Sequence, residues 1–497
     1  MLLRRRTVLG MAMTGSVLPP LSQGRADTTL WDLIVVGAGT AGLPAAIHAS
    51  RRGARVLMIE ASATIGGTLN VAVGQVAAGG TTLQATKGIV DSPDLHFDDV
   101  MRISRGRADA ALVRRTADEA PPTMNWLLKE GLTPLPNHPV VSDSPTLAAY
   151  SIPRYFWARE NGRAILAILR RNLEPELKSG RVVLQRETRV TSLIKSGDTV
   201  TGVRALHGEV AREYFGRHVL LSTGGYAMNP ELFGRLIGGS PYVASSYPFS
   251  LGDGLELASA VGATIRGTNL HRSGTGSILT QSSWPAQVYA RFQTDPGARA
   301  PWEIWVNNAG QRFIREDEPE HYAREHAVAK LDGYRYAIIF DEAIANDAPP
   351  GIPGWTGEKF REHLGNHPMF LRADSLESLA AAAQLNVEGL RRSVAEYNSG
   401  IDGGSDPLGR LHRPRKIAQG PFYAVIHLGH SATSAAGVTV DQHLSVLKSN
   451  GEPIRGLYAA GELLGSGAYM GSTGVPGMML TPSLSLGRSL GMTLEIA

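Results

Sequence analysis

Along residues 32–70 the apolar positions change period twice. Positions 33–36 form a short uninterrupted apolar run, as expected for a strand covered on both faces. A stretch of helical spacing, rich in Ala and Leu, follows, and a second apolar run at 56–59 ends at Glu60. Gly37, Gly39 and Gly42 stand between the first run and the helix in G-x-G-x-x-G spacing. Such glycines permit a tight turn, a close approach to a pyrophosphate and helix–strand packing. The helix N-terminus then faces the phosphates, and Glu60 can accept from a ribose hydroxyl. The unit predicts a dinucleotide site. Gly66-Gly67, just beyond the acid, tilts the expectation from NAD to FAD.

Further along, residues 91–130 read as helical from an N-cap at Asp91-Ser92-Pro93. A second amphipathic helix falls at 164–175. Short strands follow at 182–185, 190–194 and 200–206, with turns such as Ser196-Gly197-Asp198. Residues 218–231 form an apolar strand entering Gly224-Gly225. From about 268 to 430 the texture changes: Trp, Pro and Arg cluster and the nucleotide pattern is absent. This reads as an inserted domain, with a strand at 336–340 that Asp341 leaves as the cap of the next turn. After 431 the first style returns, with a strand at 457–460, a turn at Gly461-Glu462, a Gly/Ser/Tyr loop at 465–477 and a helix at 482–494 capped by Pro482-Ser483. The expected organisation is a leader at 1–26, a dinucleotide domain at 27–267, a capping domain at 268–430 and a return at 431–497. The fold class is α/β: a Rossmann-like FAD-binding domain with an inserted α+β cap.

A chain of 497 residues exceeds one ordinary core, and 43% apolar with 19% charged residues is a globular composition. The absence of cysteine excludes disulfides, iron–sulfur clusters and covalently attached c-type haem in this chain. Arg4-Arg5-Arg6, then Thr7-Val8-Leu9, a modest apolar run and Gly24-Arg25-Ala26 read as a twin-arginine export signal, which implies a periplasmic protein folded around its cofactor. Without that basic leader the formal charge is near zero, so nothing points to nucleic acid. No stretch is long and apolar enough to predict a membrane span.

VVGAGTAG (35–42), Glu60, Gly66-Gly67, AAGG (77–80), DSPDLHFDD (91–99), LLSTGGY (220–226), GDGLELA (252–258), VNNAGQRF (306–313) and GLYAAGE (456–462) occur in an order that resembles the flavoprotein family of fumarate reductase and succinate dehydrogenase. That family includes urocanate reductase and 3-ketosteroid Δ1-dehydrogenases. The resemblance implies FAD held at its pyrophosphate by Gly37, Gly39 and Gly42 and at its ribose by Glu60. Thr68, Ala78 and Gly79 would line the flavin, beside Gly66, Gly67 and Gly224. Glu462 would bind the ribityl chain, and the helix start at Ser483-Leu484 would face the flavin N1–C2=O edge, where its dipole stabilises an anionic reduced flavin. Members with covalent FAD carry a histidine before the AAGG-like loop. Asn70 and Val71 stand there, so non-covalent FAD is expected.

The catalytic layer departs from the dicarboxylate reductases. Arg299 falls where a family arginine of the proton path lies. The proton donor's position falls near Glu320 and His321, with Tyr322 adjacent, and no arginine stands there. Ala432-Thr433-Ser434 replaces a family histidine, with His430 upstream. A clamp arginine corresponds to Gly474. Two carboxylates are costly to desolvate without such partners, so fumarate is not the expected substrate. The loop at 467–487 is closer to the ketosteroid enzymes. There Gly477 would offer a backbone amide and Tyr469 a hydroxyl to polarise a carbonyl. Met478, Met479 and Leu480 would wall a ring substrate, and His271 with Arg272 is a further candidate. The sequence leans to an FAD enzyme that dehydrogenates a cyclic or hydrophobic ketone by hydride transfer to flavin N5. The alternatives are a reductase of an unsaturated acid, served by a separate cytochrome or quinone, and a flavin electron-transfer subunit. No metal site is expected.

Overall fold

The computed structural model describes residues 29–143, 148–239, 243, 246–429 and 433–496. The expected leader, His430 and Ala432 lie outside them.

An eight-stranded sheet forms the base. Leu30–Val36 lies parallel to Val56–Ile59 on one side and to Val210–Leu221 on the other. Val182–Gln185 extends the first edge, again parallel. Pro453–Ala459 joins the C-terminal end of Val210–Leu221 in parallel, with Leu457 opposite Val219. The end of the chain thereby re-enters the sheet begun by its first strand. The strands Thr188–Ser196 and Thr199–His207 branch off as an antiparallel meander on Val210–Leu221. Ile34, Val35, Val56 and Leu57 are fully buried, which explains their unbroken apolar run. Burying each such side chain stabilises by about 1.5–3 kcal/mol.

The helix Gly42–Arg51 covers one face of the sheet and packs on the last helix, Leu480–Thr493. Two glycines permit this approach. A Cβ at Gly487 would meet the Ala41 carbonyl oxygen at 2.1 Å, and one at Gly491 would meet that of Ala45 at 2.4 Å. Side chains there would push the two helices apart.

Among the described residues, the strands between 304 and 427 pair only with one another. Ile304–Val306, Tyr336–Asp341, Phe422–His427 and Phe370–Ala373 make a four-stranded antiparallel sheet. Helices such as Val387–Ile401 cover it. Asp341 caps the helix after its strand by accepting from the Ile344 amide at 3.0 Å, as its position predicted.

Several boundaries differ from the sequence expectation. The stretch 91–130 is two helices, Pro93–Ile103 and Ala110–Lys129, each with its own cap at Ser92 and Asp109. The expected loop at 465–477 contains a short buried helix, Ser466–Met470. The last helix begins at Leu480, so Pro482 and Ser483 sit in its first turn and do not cap it. Proline is tolerated there because first-turn amides have no intrahelical partner.

A buried ion cluster ties the amino-terminal helices to the carboxy-terminal loop. Arg154, with no solvent exposure, donates to both oxygens of Asp91 at 2.8 and 2.9 Å and to Asp99 at 2.8 Å. Its guanidinium lies over the Tyr150 ring, whose hydroxyl donates to the Pro476 carbonyl at 2.5 Å. Arg154→Ala would leave the buried Asp91 carboxylate without its cation and Asp99 with Arg102 alone, a loss of about 3–5 kcal/mol. Denaturant unfolding followed by circular dichroism should show that drop, and a change below about 1 kcal/mol would show the cluster to be solvated.

Candidate functional site

Two cavities meet at the carboxyl end of the parallel strands. The first is a cleft running from the glycine turn to the start of the last helix. Gly37, Gly39, Glu60, Gly67, Gly224 and Ser483 line it. Gly37 takes φ +100°, and a Cβ there would meet the Ser222 carbonyl oxygen at 2.6 Å, so only glycine turns the chain here. A Cβ at Gly39 would project into the cleft itself, meeting only Gly67 at 3.8 Å. That leaves an open cradle for a ligand backbone. Glu60 is buried, and its two oxygens accept from the Ala38 and Ser62 amides, each at 2.8 Å. Burial raises its pKa, and the two amides oppose that rise. Both oxygens keep acceptor capacity for a hydroxyl. Thr223 also borders the cleft, and its buried hydroxyl has no partner among the described residues. An orphaned polar atom in such a cradle calls for a polar ligand.

The second cavity holds about 630 Å³. It shares Thr68, Tyr247, Glu462, Met479 and Leu480 with the first, so the two are one continuous site. Glu462 accepts from the Ser434 amide at 2.9 Å, and burial raises its pKa. Val71, Val73, Met470, Val475 and Met478 give the second cavity an apolar wall.

Its polar end is built from the inserted segment. Arg272, His321 and Tyr322 line it. The Arg272 guanidinium sits 2.5 Å from the Glu325 carboxylate, and His321 Nε2 lies 3.3 Å from the other Glu325 oxygen. His321 Nδ1 faces Arg324 Nη2 at 3.4 Å. A guanidinium only donates, so Nδ1 accepts and the imidazole proton sits on Nε2, directed at Glu325. Burial alone would raise the Glu325 pKa. Burial is the largest single influence, but the Arg272 charge and the bonds from His321 and Arg272 together outweigh it and hold the value down at about 2. The Tyr322 hydroxyl donates to the Gly474 carbonyl at 2.5 Å, and burial raises its pKa. A Cβ placed on Gly474 would lie 3.3 Å from Arg272 Nη2 and 3.1 Å from the Tyr322 hydroxyl. Arg272 thus fills the space that a longer side chain at 474 would occupy.

Other candidates from the sequence lie elsewhere. Gly42 packs the first helix against the first strand, because a Cβ there would strike the Gly37 carbonyl oxygen at 2.0 Å. Gly66 donates its amide to the Ala38 carbonyl at 2.8 Å and lies against Leu166. Neither borders the cleft, and nor do Ala78, Gly79 and Leu484. Ala78 and Leu484 are fully buried, and Gly79 presses on the Ser92 carbonyl. Their contribution is to shape the walls.

Among the catalytic candidates, the structure brings His321, Tyr322 and Gly477 to the cavity and leaves three outside it. Arg299 pairs with Glu303 at 2.6 Å, donates to the Pro349 carbonyl at 2.9 Å and lines a separate pocket beside Phe340 and Phe360. Glu320 caps its helix by accepting from the Ala323 amide at 2.7 Å and pairs with Arg105 at 3.0 Å. Tyr469 is buried in the short helix Ser466–Met470, with a hydroxyl that meets no partner among the described residues and does not face the cavity. His271 packs between the Phe233 and Tyr334 rings at 5.1 Å from each. Sequence reasoning missed Glu325 and Thr223. The i, i+4 spacing of His321 and Glu325 could have flagged the first. Nothing local marks the second.

The family model described as an FAD binding domain matches residues 32–474. The chain belongs to the FAD-dependent flavoprotein family of fumarate reductase and succinate dehydrogenase. The flavoprotein is 27% identical over 465 residues to a fumarate reductase (cytochrome) of Shewanella frigidimarina, covering 93% of this chain and 76% of the relative. It is 28% identical over 456 residues to the vinyl phenol reductase of Lactiplantibacillus plantarum, covering 87% and 89%. Its fold is similar to that of 3-ketosteroid Δ1-dehydrogenase from Sterolibacterium denitrificans, with a TM-score of 0.66, 21% identity, and coverage of 93% and 99%. The lining of the first cavity, with its glycine cradle, Glu60 and Thr223, fits that dinucleotide. The enzyme is an FAD-dependent oxidoreductase of this family.

Two measurements follow from this geometry. Glu60→Ala strands the Ala38 and Ser62 amides and removes an acceptor. FAD titration of the apoprotein should show affinity weakened by about tenfold or more, from a loss of about 1–3 kcal/mol, and unchanged affinity would remove Glu60 from the site. Glu325 has a folded-state pKa below its ordinary 4.5, so its contribution to stability is complete above that value and is lost as the pH falls toward about 2. The stability gap between the wild type and Glu325→Gln should therefore be flat at neutral pH and shrink across that acidic window. A gap independent of pH there would show that Glu325 is not held by Arg272 and His321.

Proposed function

We propose that the protein reduces the C=C bond of a substrate with an apolar ring or chain and one acidic or strongly electron-withdrawing head. The observation that carries this is the polar end of the second cavity, where Arg272 is the one arginine among the described residues of a largely apolar lining. One guanidinium, already partnered by Glu325, suits a single acidic group and leaves a second carboxylate unmatched. The ketone dehydrogenation expected from the sequence needs the Tyr469 hydroxyl at the cavity, and that hydroxyl is buried in another element. Gly477 and the Met478–Leu480 wall do border the cavity, and they support ring-ketone oxidation as the second reading.

Bound FAD supplies a two-electron hydride donor or acceptor at its N5. The chain's own groups then divide the work. Arg272 orients and polarises the head of the substrate. His321 is the proton donor, giving one proton as the imidazolium, returning to the neutral imidazole and being recharged from solvent, while the Glu325 carboxylate at its Nε2 steadies the ring and favours the charged form. Tyr322 is a positioning residue. Its proton is engaged by the Gly474 carbonyl, and it fixes the loop that presents Gly477. The apolar wall excludes water from the reacting carbons. We further read the FAD as non-covalent, because no histidine precedes the AAGG segment. The twin-arginine pattern supports export to the periplasm, and a cytochrome or quinone would serve as the electron donor there.

Dithionite-reduced enzyme should be reoxidised by cinnamate-like substrates and far more slowly by fumarate. Fumarate as the best oxidant, or bleaching of the oxidised flavin by cyclic ketones alone, would contradict the proposal. In the same assay His321→Ala should lower kcat by about 10²–10⁴, while Tyr322→Phe, which keeps the ring, should retain most of it.

A further inference from the structure

One surface next to the site combines an apolar floor with an arginine rim. It is a groove of about 1120 Å³ between the helix Gly162–Lys178 and the turn at 70–72. Val71, Ala72, Ala164, Ala167 and Ile168 floor it. Val71 and Ala72 also line the reacting cavity, so only that stretch of chain separates the groove from the substrate side of the FAD site. Val71 and the neighbouring Val73 are 56% and 48% exposed, high values for valines in a folded chain.

The rim is basic, and its cations are arginines. Arg163, Ala167, Arg170 and Arg171 share one exposed helix face at i, i+4, i+7 and i+8, with Arg159 just before it. Arg159 and Arg163 make no ion pair among the described residues, and Arg170 donates only to the Ile65 carbonyl. Arg171 lies 3.8 Å from the Glu130 carboxylate, and Glu160 is the acid in the groove lining. The chain as a whole is close to neutral once its leader is set aside, so this excess is local. An apolar centre ringed by arginine, with lysine scarce, is the composition of a protein-docking patch.

We propose that this groove docks an acidic electron-carrier protein that reduces the bound FAD. The proposal rests on the reading of the enzyme as a C=C reductase, which needs an external reductant. The chain has no cysteine and therefore no thiol or iron–sulfur centre of its own to supply one. In each turnover two one-electron carriers dock in succession and leave oxidised. Their two electrons pass to FAD with a proton from water, and the substrate later takes up the hydride and a second proton. The arginine rim attracts and orients the carrier's carboxylates. The floor at Val71 and Ala72 brings its redox centre up to the wall of the reacting cavity.

A plant-type [2Fe–2S] ferredoxin, acidic and one-electron, is the probe. The exposed pair Arg159→Glu with Arg163→Glu reverses the rim without touching the cavity. With the holoenzyme at low salt, stopped-flow flavin bleaching by reduced ferredoxin should slow by about tenfold or more in the double variant. Calorimetry with oxidised ferredoxin should show affinity weakened by a similar factor, and salt should erase the difference. Bleaching by reduced methyl viologen, too small to need a docking surface, should be unchanged. Equal ferredoxin rates and affinities in the two proteins, or no ferredoxin binding to the wild type, would overturn the proposal. Ferredoxin docking that depends on the arginines, in an enzyme that reduces no alkene with viologen, would instead sink the reductase reading and leave the groove standing.

Discussion

The site depends on how the end of the chain is fastened back onto its beginning. The buried Thr481 hydroxyl accepts from the Ala77 amide at 2.8 Å and donates to the Ala77 carbonyl at 3.1 Å. This one side chain fixes the start of the last helix against a strand four hundred residues earlier. Met479 and Leu480, just before it, border both the FAD cleft and the reacting cavity. The close contact of the last helix with the first sets the direction of its axis. Loss of this fastening would misplace the helix N-terminus, whose partial positive charge is useful only where it points.

Two buried ionic clusters hold the rest of the site to that frame, and they work differently. Arg154 with Asp91 and Asp99 is a structural tie. It is fully enclosed, satisfied on every side, and reaches the substrate loop only through the Tyr150 bond to Pro476. Arg272 with Glu325 and His321 is open on one side to the cavity. Its guanidinium keeps cavity-facing surface, with 30% of the side chain exposed, and that surface is where a substrate would meet it. The same kind of pair is a strut when closed and a recognition element when one face is free.

The sequence made the FAD cleft legible because its chemistry is local. Gly37, Gly39 and Glu60 lie within one βαβ unit, and backbone spacing alone brings them to the lining of one cleft. Glu462 and Ser483 were reachable through the family resemblance, which kept their order along the chain. The reacting cavity was less legible because its parts come from separate elements. Tyr469 carries a suitable hydroxyl, yet the helix at 466–470 turns it into the core, and no local pattern reveals that. Arg299 lies in a family position, but Glu303 four residues on captures it. Arg272 reaches the space beside Gly474 from a different segment altogether, a placement visible only in three dimensions. Glu325 went unnoticed because an acid just beyond the acidic run at 316–320 looks like a solvated one until its arginine is seen.

The central claim is that the FAD cleft and the reacting cavity are one site, joined at Thr68, Glu462 and Met479. Titration of the oxidised, yellow enzyme with a non-reacting aromatic monocarboxylate, followed in its visible spectrum, tests this directly. The account predicts a saturable shift of the flavin band in the wild type that Arg272→Ala weakens strongly. A flavin spectrum indifferent to such ligands, while calorimetry shows them bound, would mean that the acid-binding pocket and the cofactor do not touch.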